Sequence, residues 1–459
     1  MRLTRDWVAQ CTGGSLVGAA AQATDGVGLA FDTRTIRPGE VFVALADERD
    51  GHEFVVDAIA RRAAFAIVER PIDDTPAVLV RDARAALFAL TRAAQARLDA
   101  QVVAITGSVG KTSTKDLTAA ALGAGLRTHA APASFNNEIG VPVTVLGAPD
   151  DTESLVVEMG ARFAGNIAEL CELVHPRVGV ITNIGIVHSE HLGGPEGVAR
   201  VKGELLEALP VDGLAVLNGD CVRSPRERHR SAARVITVGT GTDADVRVGT
   251  VTVDAELHAH FELATPWGNG PVVLGVRGAH QAINAAQAAT VALHAGIGFD
   301  AVVAALATAA GSAWRMEIID RADGVRILND AYNSSPVAAV AALESLASLP
   351  AAGRRIAVLG EMRELGDLSE AEHARVGQVA AAAGIDVIVA VGAATGPLAA
   401  AALSVRPAVE VHRVADVDAA RSRLEAIVAP GDVVLLKASR AVGLERIVVG
   451  PESGEEDAA

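Results

Sequence analysis

Short apolar runs, separated by longer Ala-rich amphipathic stretches, constrain this chain more than any other feature. Val102–Thr106 (VVAIT), Leu155–Glu158 (LVVE) and Val178–Thr182 (VGVIT) have the length and content of buried strands. Ile356–Gly360, Val387–Gly392 and Val433–Lys437 repeat the pattern later in the chain. Helix-like segments such as Lys111–Gly123 and Asn284–Ala295 lie between these runs. This alternation predicts an α/β architecture with mostly parallel sheets. Composition agrees, because half the residues are apolar and only 3% are aromatic. The cores must therefore be built from Ala, Val, Leu and Ile.

A length of 459 residues suggests two to four domains at roughly 150 residues each. Residues 1–98 carry strand-like pieces of their own, at Glu40–Leu45 and Ala64–Val68. Residues 99–311 open with the strand before Gly107 and read as a nucleotide-binding region. Residues 312–450 begin near Gly311, with a fresh strand at Val325–Asn329. The acidic, Gly-containing tail 451–459 is expected to be disordered. No internal repeat is visible.

The net charge of −16 repels nucleic acid and anionic membrane surfaces but leaves room for anionic substrates at a local cluster of donors. Cys11, Cys171 and Cys221 are scattered, which argues against a disulfide framework or a zinc cage and fits a reducing compartment. The N-terminus lacks the pattern of a signal peptide, and no run of 18 apolar residues occurs. The expectation is a cytoplasmic protein without membrane insertion.

The strongest local signal is Gly107-Ser108-Val109-Gly110-Lys111-Thr112. It follows an expected strand and opens an expected helix, which is the context that a phosphate-binding loop requires. Glycines let backbone N–H groups approach phosphate, and the helix N-terminus adds a positive dipole. Lys111 is placed to reach the β/γ-phosphates and the Thr112 hydroxyl to ligate Mg²⁺. The pattern is a shortened one, since the position of the first glycine of the longer motif is Ile105. The plainer alternative is a Gly-rich turn with a surface lysine.

Further candidates gain weight only from their order. Glu158 ends an expected strand, where a carboxylate can hold Mg²⁺ at the carboxyl edge of a parallel sheet. His188 sits in a loop after the next strand, and Lys202 near the start of a helix. Taken singly, these have ordinary explanations as a solvated edge residue, a loop histidine and a surface lysine.

That order resembles the Mur ligases, which build the peptide stem of bacterial peptidoglycan precursors. The resemblance spans most of the chain: ITGSVGKTSTKDL (105–117), SFNNEIGVPVTVL (134–146), VVEMGAR (156–162), ITNIGIVHSEHLG (181–193), VKGELLEALP (201–210), LNGD (217–220), GAHQAINAAQAATVA (278–292), WRMEII (314–319), LNDAYNSSPVAAVAAL (328–343), VLGEMRELG (358–366) and LLKASR (435–440). It implies a three-domain Mur ligase architecture, with a UDP-binding N-terminal domain, a central P-loop parallel-sheet domain and a Rossmann-like C-terminal domain. Asn136-Asn137-Glu138-Ile139-Gly140-Val141-Pro142 points to the branch that joins D-Ala-D-Ala to UDP-MurNAc-tripeptide, and no D-N-P-R acceptor motif of a sister branch is present.

The resemblance further implies roles. ATP is cradled by Gly107, Ser108, Val109, Gly110, Lys111, Thr112 and Ser113, with Asn284 on the adenine side, Arg315 on the γ-phosphate and Asp330 on the ribose. Thr112 and Glu158 hold one Mg²⁺, while His188 and a CO₂-carbamylated Lys202 serve a second. Lys111, Lys202, His188 and Arg315 carry the catalysis. Asp32, Thr33 and Arg34, with the segment Asp50-Gly51-His52, belong to the UDP end. Asn136, Asn137, Lys437 and Arg440 serve the substrates, and Tyr332 packs on the nucleotide. The family also implies a monomer. Val201, Asn329, Ala331, Ser334, Ser335, Ala438 and Phe163 depart from the usual pattern, and they bear on the acceptor side more than on the reaction type. Two rivals are a folate polyglutamate synthase, which lacks a UDP-binding domain before residue 100, and a nucleotide-operated switch that makes no bond.

Overall fold

The apolar runs form strands that are buried on both faces. The computed structural model describes residues 1–18, 24–47, 49–131, 133–185 and 192–449. His188 and the tail 451–459 lie outside the described residues.

Strand β1 (Gln101–Thr106) leads through the glycine loop into helix α1 (Lys111–Gly123). β2 (Ser154–Glu158) and β3 (Val178–Ile181) pair in parallel on either side of β1. Helix α2 (Gly194–Glu207) carries Lys202, and helix α3 (Gln281–His294) carries Asn284. The later strands β4 (Arg326–Asn329) and β5 (Val433–Lys437) belong to a separate sheet.

The central sheet has ten strands. Thr128–Ala130, β2, β1, β3, Leu214–Asn218, Arg234–Gly239 and Val246–Val248 run parallel in that order, and an antiparallel extension around His258–Thr265 completes it. Strand order turns about β1, because the next strands in sequence lie on one side and β3 on the other. The crevice at the carboxyl end of such a strand is where ligands bind in open α/β sheets. Leu117, Ala121 and Leu122 of α1 share one apolar cluster with Ala285, Ala289 and Leu293 of α3. The small alanines let α3 lie close to α1, which brings Asn284 beside the loop.

A six-stranded sheet follows the order Glu317–Asp320, β4, β5, Arg355–Gly360, Val387–Val391, Glu410–Val414, antiparallel only at its first pair. Asn329 is opposite Leu436, so β4 and β5 end together. A five-stranded mixed sheet near the N-terminus contains Ser15–Val17, Ala77–Leu79, Ala66–Val68, Val41–Val43 and Leu29–Ala30. Val78 of this sheet, with Leu87 and Leu90 of the helix Ala83–Arg97 that follows it, joins the cluster under β1 and β2.

The segment expected from Asn284 starts earlier, at Gln281. All three cysteines are free. Among the described residues, no helix is long and apolar enough to cross a membrane.

Candidate active site

Between β1 and α1 the backbone takes a path that only glycine follows at low cost. Gly107 has φ +148° and Gly110 φ +84°. A Cβ on Gly107 would meet Thr182 Oγ1 at 2.0 Å, and one on Gly110 would meet Asn284 Oδ1 at 2.9 Å. The segment after β3 fixes the loop. Ser108 N donates to Asn183 O (3.0 Å), Val109 N to Asn183 Oδ1 (2.9 Å) and Thr182 Oγ1 to Val109 O (2.5 Å). Gly110 caps α1 without a side-chain hydrogen bond, so the first-turn N–H groups are available to an anion. Lys111 Nζ donates to Gly107 O at 3.0 Å. Burial pushes the Lys111 ammonium below the usual lysine range; Glu158 opposes this and Arg315 adds to it.

Glu158, at the end of β2, is 1% exposed. It accepts from Thr112 Oγ1 (2.8 Å), Ser134 Oγ (2.8 Å) and Asn136 Nδ2 (2.7 Å). Burial pushes its carboxyl up, but attraction by Lys111, the Asn136 and Ser134 hydrogen bonds and the Arg315 charge outweigh burial, and the net shift is downward. The group is thus held as an anion. A buried carboxylate beside two hydroxyls is an all-oxygen donor set, which suits Mg²⁺.

The six-stranded sheet reaches the same point. Arg315 Nη2 donates to Thr112 Oγ1 at 2.9 Å, across 203 residues of sequence. Its guanidinium lies 4.1 Å from the Tyr332 ring centroid. Asp330 and Lys437 form an ion pair of 2.7 Å with Lys437 3% exposed, and Lys437 Nζ also donates to Asn333 O at 2.6 Å. Arg440 lies 4.6 Å over the Trp314 ring and pairs with Glu445 at 2.6 Å.

A cleft of about 800 Å³ runs between these walls. Its lining includes Ser108 through Ser113, Asn136, Asn137, Glu158, Asn284, Arg315, Asp330, Lys437 and Arg440. Sequence reading named all of these. Gly107 shapes the loop without lining the cleft. Lys202 is 1% exposed in α2, and burial, with help from Lys111, brings its ammonium down to about 7 against the opposing Glu158 and Glu204.

Asp32, Thr33 and Arg34 do not line the cleft. Asp32 pairs with Arg34 at 2.6 Å and Thr33 is buried. The neighbouring Phe31 packs edge-on against Phe135, with centroids 6.4 Å apart, next to Asn136. His52 is buried between Asp50 (Nδ1 to Oδ1, 2.7 Å) and the Glu69 N–H donating to its Nε2 (2.8 Å), so both ring nitrogens are spent on the fold. Tyr332, expected against the nucleotide, stacks on Arg315. Ser134 was not singled out from sequence; its signal is its place two residues before Asn136.

Comparison with known proteins decides the family. The Mur ligase middle domain matches residues 105–292, and the Mur ligase glutamate ligase domain matches residues 314–440. The UDP-N-acetylmuramoyl-tripeptide–D-alanyl-D-alanine ligase of Mycobacterium bovis is 39% identical over 97% of this chain and 96% of its own. The chain belongs to the Mur ligase family. MurF from Acinetobacter baumannii is a solved Mur ligase with a TM-score of 0.83 and 29% identity, covering 98% of each chain. The Thermotoga maritima MurF ligase in complex with ADP has a TM-score of 0.77 and 28% identity, covering 94% of this chain and 99% of that one. The Mur ligase matches include the residues before 100, which disfavours the shorter folate-type rival. The three-domain Mur ligase fold expected from sequence is therefore the fold of this chain.

Proposed function

We infer that this enzyme joins D-Ala-D-Ala to UDP-MurNAc-tripeptide, converting ATP to ADP and phosphate and giving UDP-MurNAc-pentapeptide for peptidoglycan synthesis. The observation that carries the reading is the meeting of three segments at one hydroxyl. Thr112 of the phosphate loop donates to Glu158 and accepts from Arg315. A carboxylate is a poor electrophile at neutral pH, so its oxygen attacks the γ-phosphorus, the bond to the bridging oxygen breaks, and ADP leaves. The amine of D-Ala-D-Ala then attacks the acyl carbon, loses a proton, and phosphate departs.

The residues supply positioning and charge. Loop N–H groups and Lys111 neutralise the phosphates, and Arg315 meets charge that develops on the γ-phosphoryl group. Asn284 serves the adenine side, and Asp330 the ribose. Asn136, Asn137, Lys437 and Arg440 serve the peptide substrates, and Asp32, Thr33 and Arg34 the UDP end. Thr112 and Glu158 would hold Mg²⁺, which neutralises phosphate charge when bound; His188 and carbamylated Lys202 would serve a second ion. Burial of Lys202 supports the carbamate, because a partly neutral amine can take up CO₂. We assign residues 1–98, 99–311 and 312–450 to the UDP, ATP and C-terminal domains, and place a monomer in the cytoplasm.

The test is phosphate release from Mg²⁺·ATP with UDP-MurNAc-tripeptide and D-Ala-D-Ala, separately and together. Release that needs both, with a pentapeptide product by mass, is the expected result. Release independent of either would favour a nucleotide switch.

A further inference from the structure

One fully buried cation takes no part in the chemistry above. Lys115 of α1 is 0% exposed. Removing an ammonium from water costs several kcal/mol unless its donors are all satisfied. Here they are: Nζ donates to Ala131 O, donates to Ala133 O at 3.2 Å, and pairs with Asp116 Oδ1 at 2.9 Å. A methionine would fill the same space with no ammonium to desolvate and satisfy, so packing alone does not explain the residue.

What the lysine holds is informative. Ala131 and Ala133 lead directly into Ser134 and Asn136, whose side chains donate to Glu158 at 2.8 and 2.7 Å. Lys115 lies one helical turn beyond Lys111 and Thr112, so one helix presents Thr112 to Glu158 and clamps the strand of chain that brings Ser134 and Asn136 to it. We propose that Lys115 is a positioning residue, which fixes Ala131 and Ala133 on α1 and through Ser134 and Asn136 aims the Glu158 carboxylate at the nucleotide's metal ion. The proposal rests on the ligase reading of the cleft.

Titration calorimetry of ADP, with Mg²⁺ and with EDTA, tests it on the full chain. Lys115→Met should weaken Mg²⁺·ADP binding roughly tenfold or more, as loss of an outer partner of a metal site does, and leave metal-free ADP binding within about twofold. Ser134→Ala should add less in the Lys115→Met background than in wild type, because the two act in one chain of contacts. Unchanged Mg²⁺·ADP affinity in a folded variant, equal losses with and without Mg²⁺, or additive effects would overturn the proposal. Where Lys115→Met does not fold by circular dichroism, Lys115→Gln, which keeps a donor for one carbonyl, takes its place; failure of both to fold shows a core role and overturns it too. Wild type that binds ADP without any Mg²⁺ dependence would instead remove the metal reading on which the proposal stands.

Discussion

Lys202→Met should stabilise the folded protein in acid and progressively less as pH rises. Lys202 is 1% exposed, and burial, assisted by Lys111 and opposed by Glu158 and Glu204, lowers its ammonium from 10.5 to about 7. Between those values the unfolded chain keeps a proton that the folded chain has released. Stability of the wild type therefore rises with pH across that window. At pH 6 the lysine is charged in both states, and its burial costs about 5 kcal/mol. The cost falls to about 3 kcal/mol at pH 8 and about 1 kcal/mol at pH 9.5. Methionine removes this titration, while its packing contribution does not vary with pH. Urea unfolding of both proteins in EDTA and CO₂-free buffer at these three pH values should show a gap that narrows by about 3–4 kcal/mol from the lowest to the highest. A flat gap would refute the claim that Lys202 is a destabilising buried cation. Bicarbonate at pH 8 should then raise wild-type stability by binding the native state and stimulate ligation. Lys202→Ala should lose most ligation, and full activity would remove the carbamate from the mechanism.

Arg315→Met should lower kcat about a hundredfold or more, the scale of losing a transition-state donor, with little change in KM for UDP-MurNAc-tripeptide; steady-state kinetics decide this. Tyr332→Phe keeps the ring under Arg315 and should keep most activity, whereas Tyr332→Leu should lose about fivefold, given a cation–π worth of order 1 kcal/mol. Gly110→Ala forces a side chain into φ +84° and 2.9 Å from Asn284 Oδ1; ADP binding should weaken at least about tenfold, since αL alone costs roughly 1–2 kcal/mol. Glu158→Gln keeps the shape but removes the anion, and should raise the Mg²⁺ concentration needed for half-maximal phosphate release.

The phosphate loop was legible because strand, glycines, lysine and helix are contiguous, and each is dictated by local backbone chemistry. Glu158 was legible as a carboxylate at a strand end. Its partner Ser134 was not, since a serine in a loop carries no pattern of its own and becomes meaningful only when β2 and the segment before Gly140 are side by side. Arg440 over Trp314 is invisible for the same reason, with 125 residues between partners that no periodicity links. Asp32, Thr33 and Arg34 were named through the resemblance, and they lie off the cleft with Thr33 buried. Asp50 and His52 were named the same way, and their side chains are engaged with each other and with the fold.

Helix α1 also sets how the C-terminal sheet meets the loop. Thr112 and Asp116 are four residues apart and so share a face of the helix. Thr112 takes Arg315, and Asp116 takes the Ser312 hydroxyl at 2.5 Å. The segment 312–315 is therefore held at two points one turn apart, which fixes its direction as well as its position. Trp314 and Met316, on either side of Arg315, have φ of 58° and 56°, a conformation that costs non-glycine residues about 1–3 kcal/mol each. The fold offsets that cost locally: Arg440 stacks on Trp314, and Met316 N donates to Asp330 Oδ1 at 3.3 Å. A relaxed backbone at these two positions would turn Arg315 away from α1. The strain is thus tied to delivery of one guanidinium to the hydroxyl beside Glu158, and the groups that sustain it, Arg440 and Asp330, stand on the wall of the same cleft.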